Sequence, residues 1–221
     1  LNQVVYDNEQ IYRFSTPPVV SDFEHAAAQL VDGTAGDTTL HSYADGLEMT
    51  LYPIVGQAID KPAASTSGMD YAYDQTDNDG IELRMSDSTV RGREGIDRFT
   101  VGKQAFEAEL TFSIGDVSGT DDCVFGFAKV EAHQAAVDDR DESAGLNVVA
   151  GDIKIETILN GGTTSTTDTT DNWADGETHA LKVLVSKAGA VTYKIDGAAP
   201  STTATFSFDI GEVVTPSLYQ L

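Results

Sequence analysis

Cysteine is nearly absent from this sequence. Cys123 is the one cysteine in 221 residues, so an internal disulfide is excluded and the fold must be stabilised by packing. It opens the apolar run 123–130 without an activating neighbour in the sequence, which favours a buried structural thiol over a nucleophile. No apolar stretch reaches the roughly 20 residues that cross a bilayer, so no membrane partner is predicted.

Basic residues are also scarce. The chain has 13 Lys and Arg against 36 Asp and Glu, a formal net charge of -23 and a pI near 4.1. Binding to nucleic acid requires a basic footprint that displaces counterions, so no nucleic-acid partner is predicted. The same negative field keeps a protein soluble and suits an extracellular or particle-surface setting.

The motifs of the common enzyme classes are missing. The sequence has no phosphate-binding loop, nucleophile elbow or Rossmann fingerprint, and its four histidines lie without metal-ligand spacing, at His25, His41, His133 and His179. Glu107 and Glu109 share one face of a predicted strand, as a hydrolase pair could, but alternating charge is the ordinary solvent side of a strand. We therefore predict that the protein is not an enzyme.

Alternation of apolar and polar residues dominates the second half of the chain. It flanks a Gly-containing break within residues 181–195, which predicts an antiparallel hairpin with one buried face, and Asp196-Gly197 predicts a tight turn after it. Further strands are predicted at 81–85, 106–114, 123–130, 146–150, 153–158, 205–210 and 213–221. About ten or more strands with little helical periodicity predict an all-β, antiparallel jelly-roll β-sandwich.

Residues 1–65 differ from the rest and are predicted to form an extended N-terminal arm, with the sandwich at 66–221. Pro17-Pro18 favours extended backbone. Ser21-Asp-Phe-Glu24 is a capping-box pattern, which predicts one short helix from His25 to Leu30 that ends at Asp32-Gly33. A strand is predicted around residues 47–54, where Pro53 places it at an edge or an end of a sheet.

Two acidic loops are candidates for calcium, because this ion takes several oxygen ligands from a compact segment. The candidate ligands are Asp74, Asp77 and Asp79 in the first loop and Asp138, Asp139 and Asp141 in the second. The first loop lacks the EF-hand glutamate, and the second lies within 131–144, a predicted short helix or long acidic loop. Residues 161–170 predict an exposed loop or edge hairpin, and Asp121-Asp122 predicts a turn. No cofactor is predicted beyond these weak calcium sites.

The hairpin carries a resemblance to a known fold family. The pattern Trp173, Gly176-Glu-Thr-His179, Leu181-Lys-Val183, Val191-Thr-Tyr193 and Ile195-Asp-Gly197 resembles the hairpin of concanavalin A-like, laminin-G-like sandwiches. This scaffold includes lectins, glycoside hydrolases and alginate lyases. Ile81-Glu-Leu-Arg84 resembles the Glu-Leu-Arg element of alginate lyases, but the partner motifs are missing. Trp173 could be a sugar-stacking platform or a lid on the core, and its size favours the lid.

A second resemblance covers residues 69–221. It is to structural proteins of marine tailed phages, and it lies in Tyr73-Asp-Gln-Thr-Asp-Asn-Asp-Gly-Ile-Glu-Leu83, Gly92-Arg-Glu-Gly-Ile-Asp-Arg-Phe-Thr100, Ser118-Gly-Thr-Asp-Asp-Cys-Val-Phe-Gly-Phe127 and Gly151-Asp-Ile-Lys-Ile-Glu-Thr157. This resemblance implies a place in a virion more than a chemistry.

Five of the 13 basic residues fall within one short segment, at Arg84, Arg91, Arg93, Arg98 and Lys103. They could form ordinary surface ion pairs with neighbouring acids, or a basic surface that docks onto the acidic face of a neighbour.

Two functions follow from these features. The first is a non-enzymatic virion structural protein, a subunit that decorates or cements a phage capsid and binds the major capsid protein or other virion proteins. Its arm would reach onto neighbouring subunits and become ordered there, and homo-oligomer contacts would add avidity. The second is a carbohydrate-binding, lectin-like module of a virion fibre or cell surface, whose ligand is a surface glycan.

Overall fold

In the part of the chain that the structure describes, the regular secondary structure is almost entirely antiparallel strands. The computed structural model describes the backbone of residues 4–6, 9–11, 39–42, 48–54, 63–65 and 68–70, and the backbone and side chains of 80–84 and 98–221. The strands are β1 (Val4–Tyr6), β2 (Glu9–Ile11), β3 (Thr39–Ser42), β4 (Glu48–Ile54), β5 (Ala63–Ser65), β6 (Gly68–Asp70), β7 (Gly80–Arg84), β8 (Phe99–Thr100), β9 (Phe106–Ser113), β10 (Cys123–Lys129), β11 (Ser143–Val149), β12 (Asp152–Ile158), β13 (Ser165–Asn172), β14 (Thr178–Val185), β15 (Val191–Ile195) and β16 (Val213–Gln220).

Two sheets form the sandwich. The large sheet has nine strands in the order β13-β12-β11-β10-β16-β7-β4-β3, with β8 paired to β16, and the small sheet has three in the order β15-β14-β9. β1 with β2 and β5 with β6 form separate two-stranded hairpins. The predicted all-β, antiparallel jelly-roll sandwich is confirmed. In the described residues one short 3-10 helix occurs, at Val137–Asp139, and no helix there has the length and apolarity to cross a bilayer.

The core lies between the two sheets. Leu181, Val183 and Val185 of β14 are buried, as the alternation predicts, and they face strands whose alternate residues are equally apolar. Phe99 stacks on Phe106 with 4.8 Å between ring centroids, and the ring of Phe127 meets both of them edge to face. β10 is buried on both faces along most of its length, as its uniformly apolar sequence predicts.

The hairpin of β14 and β15 confirms the predicted pairing in register, with Val183 opposite Tyr193. The following turn has Asp196 at φ 51° and Gly197 at φ 81°. Two consecutive positive φ values define a type I′ geometry, which Asp-Gly sequences favour. The carboxylate of Asp196 accepts from the amide of Ala180 at 2.8 Å, so this turn is fixed against the start of β14.

Other predictions have mixed outcomes. The helix at 25–30 and Pro17-Pro18 lie outside the described residues. β4 confirms the strand predicted near residues 47–54. Strand β3 pairs with β4 only as far as Leu51, so Pro53 lies beyond the pairing of these two strands. The division at residue 65 stays a prediction; β4, which precedes it, hydrogen-bonds to β7 of the large sheet.

The strand predicted at 205–210 is wrong. This segment makes a single isolated bridge, Ser207 with Ala190, and runs on to β16 without regular pairing. Its alternation has a different cause, since Phe206 and Phe208 turn onto the core while Ile210 is exposed.

The polar tract at residues 161–170 is predicted to be either an exposed loop or an edge hairpin. The edge alternative is confirmed, because β13 at residues 165–172 is an edge strand of the large sheet.

Candidate functional site

The large sheet has a polar face that points away from the core, called the outer face here. Leu146 and Ile155 lie in the core, so the residues on either side of them point outward. Cross-strand pairing then places outward residues in two transverse rows. One row contains Glu82, Tyr219, Val124, Asn147, Lys154 and Asp168; the other contains Arg84, Ser217, Gly126, Gly145, Glu156 and Thr166.

A buried ion cluster occupies the β7 end of these rows. Oε1 of Glu82 accepts from Nε of Arg84 at 2.6 Å and from Nη2 of Arg140 at 2.6 Å, and Oε2 lies 2.8 Å from Nδ1 of His133. Burial alone would raise the pKa of Glu82, but Arg140, His133 and Arg84 outweigh it and lower that pKa to about 2. Glu82 is therefore a carboxylate at every physiological pH.

Residues 131–142, called the strap here, cover the middle of the outer face. The carbonyl oxygen of Glu131 accepts from Nη1 of Arg84 at 3.0 Å, and that of Ala135 accepts from the hydroxyl of Tyr219 at 2.9 Å. The guanidinium of Arg140 lies 5.4 Å from the centre of the Tyr219 ring, and Val137 is buried against the same ring. The strap is thus fixed by ion pairs, backbone hydrogen bonds and a small apolar contact.

Beyond the strap, an open polar patch remains over β11 to β13. Its members, called the patch here, are Asp122, Asp138, Asn147, Lys154, Glu156 and Thr166. Asn147 is buried, and it accepts from the amide of Cys123 at 2.9 Å and donates to Oδ1 of Asp122 at 2.6 Å. The hydroxyl of Thr166 donates to Glu156 at 3.4 Å. Asp138 accepts from Thr164 at 2.5 Å, which joins the strap to the connection before β13.

Two carboxylates of the patch have raised pKa values. Burial is the main cause for Asp122, and the negative charges of Asp138 and Asp121 add to it. Burial is also the main cause for Glu156, with the charges of Asp122 and Asp138 adding. The amide of Asn147, which donates to Asp122, opposes the shift in both carboxylates. Perturbed carboxylates at an accessible surface are a feature of functional sites.

The Glu107 and Glu109 pair lies on the opposite side of the molecule, on β9 of the small sheet. Lys182 of β14 bridges it, with Nζ 3.6 Å from Oε1 of Glu107 and in contact with Oε2 of Glu109. A depression of about 240 Å³ includes Glu107 in its lining, together with residues of β9, β14 and β15 such as Phe106, Leu184 and Thr192. Lys182 forms ion pairs with both carboxylates, but the predicted solvent side of the strand is wrong for Glu107, whose side chain is 10% exposed, against 28% for Glu109.

The calcium candidates are not brought together where the structure describes them. Asp74, Asp77 and Asp79 lie outside the described residues. Asp138 hydrogen-bonds Thr164, whereas Asp141 forms an ion pair with Lys129 at 2.6 Å and Asp139 lies in the 3-10 helix. No group of three or more His, Cys, Asp or Glu side chains in the described segments is arranged to hold a metal.

The prediction of a basic docking surface is wrong for Arg84. This side chain has no exposed area, because Glu82 pairs with it beneath the strap, so it is unavailable to a partner. Arg91 and Arg93 lie outside the described residues. Lys103 is exposed and Arg98 is half-buried, and their role in docking stays a prediction.

The aromatic and thiol candidates are structural. Trp173 is 2% exposed and donates its indole N–H to the carbonyl oxygen of Glu177 at 3.1 Å. This confirms the prediction that Trp173 is a lid on the core and not a sugar-stacking platform. His179 lies edge-on to this ring between Asp196 and Glu177. Cys123 is buried, and burial raises the pKa of its thiol to about 12, so it is unreactive at neutral pH.

The sequence reasoning missed the patch. Asn147 interrupts the otherwise apolar segment 146–150, and this was the available signal. The Asp121-Asp122 pair predicts only a turn, and Glu156 is one polar residue of an alternating strand. Their proximity depends on the pairing of β11 with β12 and on the strap, and neither can be deduced from local spacing.

Comparisons with known proteins give structural matches alone. No protein-family model and no curated protein matches the chain. Similar solved structures include an alginate lyase from Pseudomonas aeruginosa (16% identity, 81% of this chain and 75% of that chain, TM-score 0.44). They also include the carbohydrate-binding module CBM66 from Bacillus subtilis (12% identity, 77% of this chain and 91% of that chain, TM-score 0.44). A third is domain 4 of the arabinanase AbnA from Geobacillus stearothermophilus, in complex with arabinotriose (14% identity, 81% of this chain and 85% of that chain, TM-score 0.46). At these identities the matches concern architecture and assign no activity.

Proposed function

We propose that this protein is a non-catalytic carbohydrate-binding module that holds a neutral glycan at the patch. The observation that carries this proposal is the arrangement around Asn147, where two half-buried carboxylates, Asp122 and Glu156, meet one buried amide on an accessible face. The virion resemblance stays a prediction from the sequence. A module displayed outside the cell or on a particle agrees with the acidic surface, and we include that location in the proposal.

The patch offers the groups that recognise sugar hydroxyls. Carboxylate oxygens of Asp122 and Glu156 accept hydrogen bonds from hydroxyls, while the ammonium of Lys154 donates to hydroxyl or ring oxygens. Partial burial removes water from these charged groups, and hydrogen bonds to charged partners are stronger than those between neutral groups. The polar atoms converge from β11, β12 and the strap, so they are held by regular structure on one side of the ligand.

Charge defines the class of glycan. Three of the six patch residues are acidic, and the whole chain carries a formal charge of -23. A uronate or sulfated sugar would place a like charge against these carboxylates, which opposes binding. We therefore propose a neutral polysaccharide as the ligand.

We expect weak binding at a single site. None of the six patch residues is aromatic, so the ligand gains hydrogen bonds without ring stacking. A few charge-assisted hydrogen bonds, each worth roughly 1.5–3 kcal/mol, must offset the cost of association, which places Kd on the order of millimolar. Useful avidity would require several copies on one support.

A binding assay with matched double variants tests this proposal. The protein is displayed at high density and screened on an array of neutral and acidic glycans. We expect signals on neutral glycans, and at least tenfold weaker binding by Lys154→Ala/Glu156→Ala.

The control is Lys182→Ala/Glu109→Ala, which removes the same residue types from the small sheet. It should bind as the wild type does. Equal loss in both double variants, or binding confined to acidic glycans, would reject the patch as a site for neutral sugar.

A further inference from the structure

Glu142, the last residue of the strap, has a buried carboxyl group without a hydrogen-bond partner. Its side chain has no exposed area, and neither oxygen accepts or donates a hydrogen bond. Such a group is costly to bury when charged, and it is tolerated best when it carries a proton.

The surroundings of Glu142 are also acidic. Lys129 at the end of β10 is the nearby cation, and Glu212, Asp209 and Asp141 contribute negative charge. The ammonium of Lys129 is already engaged by Asp141 at 2.6 Å and by Glu212 at 3.4 Å. Burial is the main cause that raises the pKa of Glu142 from 4.5 to about 7, and the charge of Glu212 comes next.

This cluster forms the base of the strap. The amide of Lys129 donates to the carbonyl oxygen of Glu142 at 2.8 Å, and the amide of Gly161 donates to that of Asp141 at 2.7 Å. The carboxylate of Glu131 closes the base by accepting from the amide of Asp141 at 3.0 Å. An added negative charge at Glu142 would therefore act where both ends of the strap join the sheet.

We propose that the base of the strap is a proton-controlled latch, which is closed while Glu142 is neutral and loosens when Glu142 ionises among Asp141, Asp209 and Glu212. The latch is a property of the fold alone. The latch also has a consequence for ligands, and this consequence rests on the proposed function. Asp138 belongs to both the strap and the patch, so it would move at alkaline pH and change the patch.

The direction of the pH effect follows from proton linkage. In the unfolded chain Glu142 loses its proton near pH 4.5, but the folded chain holds it to about pH 7. The folded state binds the extra proton between these values, so stability from this group is fully present below pH 4.5 and falls as the pH rises to about 7. The strap base should be tightest in acid and loosest above neutrality.

Hydrogen exchange tests the latch on the intact protein. Amide protection factors, corrected for the intrinsic effect of pH, are compared at pH 5.5 and pH 8. We expect protection of the Lys129, Asp141 and Gly161 amides to fall at least tenfold at pH 8, while the Leu181 and Val183 amides of the small sheet stay unchanged.

Glu142→Gln and Glu142→Met should abolish this difference, and Glu109→Gln should leave it intact. An unchanged strap base in the wild type, or the same fall in both Glu142 variants, would overturn the latch. Glycan binding is measured on the same samples. If the latch operates but no sugar binds at either pH, the proposed function fails while the latch stands.

Discussion

Replacing Glu82 with alanine is expected to lower the free energy of unfolding by about 3–5 kcal/mol. The carboxylate of Glu82 is the shared partner of Arg84, Arg140 and His133. Removing it would take the Glu82 counter-charge from two guanidinium groups, each with an almost fully buried side chain. The strap would also lose its strongest attachment to β7, because Arg140 and His133 both reach Glu82 from it.

Urea unfolding at pH 7 measures this loss, with Glu109→Ala as the control. Glu109 also pairs with a lysine, but its side chain is 28% exposed, so we expect its removal to change stability by about 1 kcal/mol or less. A loss at Glu82 no larger than that at Glu109 would show that the buried cluster contributes little to the fold.

Gly126→Ala is expected to cost about 3 kcal/mol or more, at the upper end for overpacked sites. A Cβ on Gly126 would lie 2.2 Å from the carbonyl oxygen of Ala144 and 2.5 Å from Cα of Gly145. Both are backbone atoms of β11, so the clash can be relieved only by separating β10 from β11. The variant should therefore also disturb Asn147, which pairs with Val124 on the same two strands.

Gly115→Ala is the matched control, because no atom beyond its two chain neighbours lies within 4 Å of the position that its new methyl group would take. We expect this change to stay within about 0.5 kcal/mol of the wild type. Thermal or urea unfolding of the two variants side by side provides the measurement. Similar stabilities for both would mean that β10 and β11 are not packed as closely as the structure shows.

The sequence predicted the parts of the fold that depend on local spacing. β9, β10, β14, β15 and the Asp196-Gly197 turn follow from alternation, apolar runs and turn chemistry. These signals lie within a few residues of one another, so they do not require knowledge of which strands are neighbours.

Features that depend on distant pairing were not predictable. Glu82 and Arg84 alternate with Ile81 and Leu83, a pattern typical of a strand with one exposed face. Arg140 covers that face from 58 positions away along the chain, and nothing near either residue indicates the contact. The patch is not predictable for the same reason, because its members come from three strands, the strap and the connection before β10.

The segment 205–210 shows the opposite failure. Its alternating phenylalanines predict a strand, yet the backbone forms only one bridge. Phe206 and Phe208 meet edge to face at 5.1 Å and pack against the core. Burial of aromatic surface therefore explains the pattern without any ladder of hydrogen bonds.

The most direct test of the central claim is an NMR titration of labelled protein with the neutral glycan that gives the strongest array signal. The proposed site predicts shifts of the Asn147 side-chain amide and of the Lys154, Glu156 and Thr166 backbone amides, with no change at Leu184 and Thr192 on the small sheet. Shifts confined to the small sheet, or none at saturating glycan, would contradict a carbohydrate site at the patch.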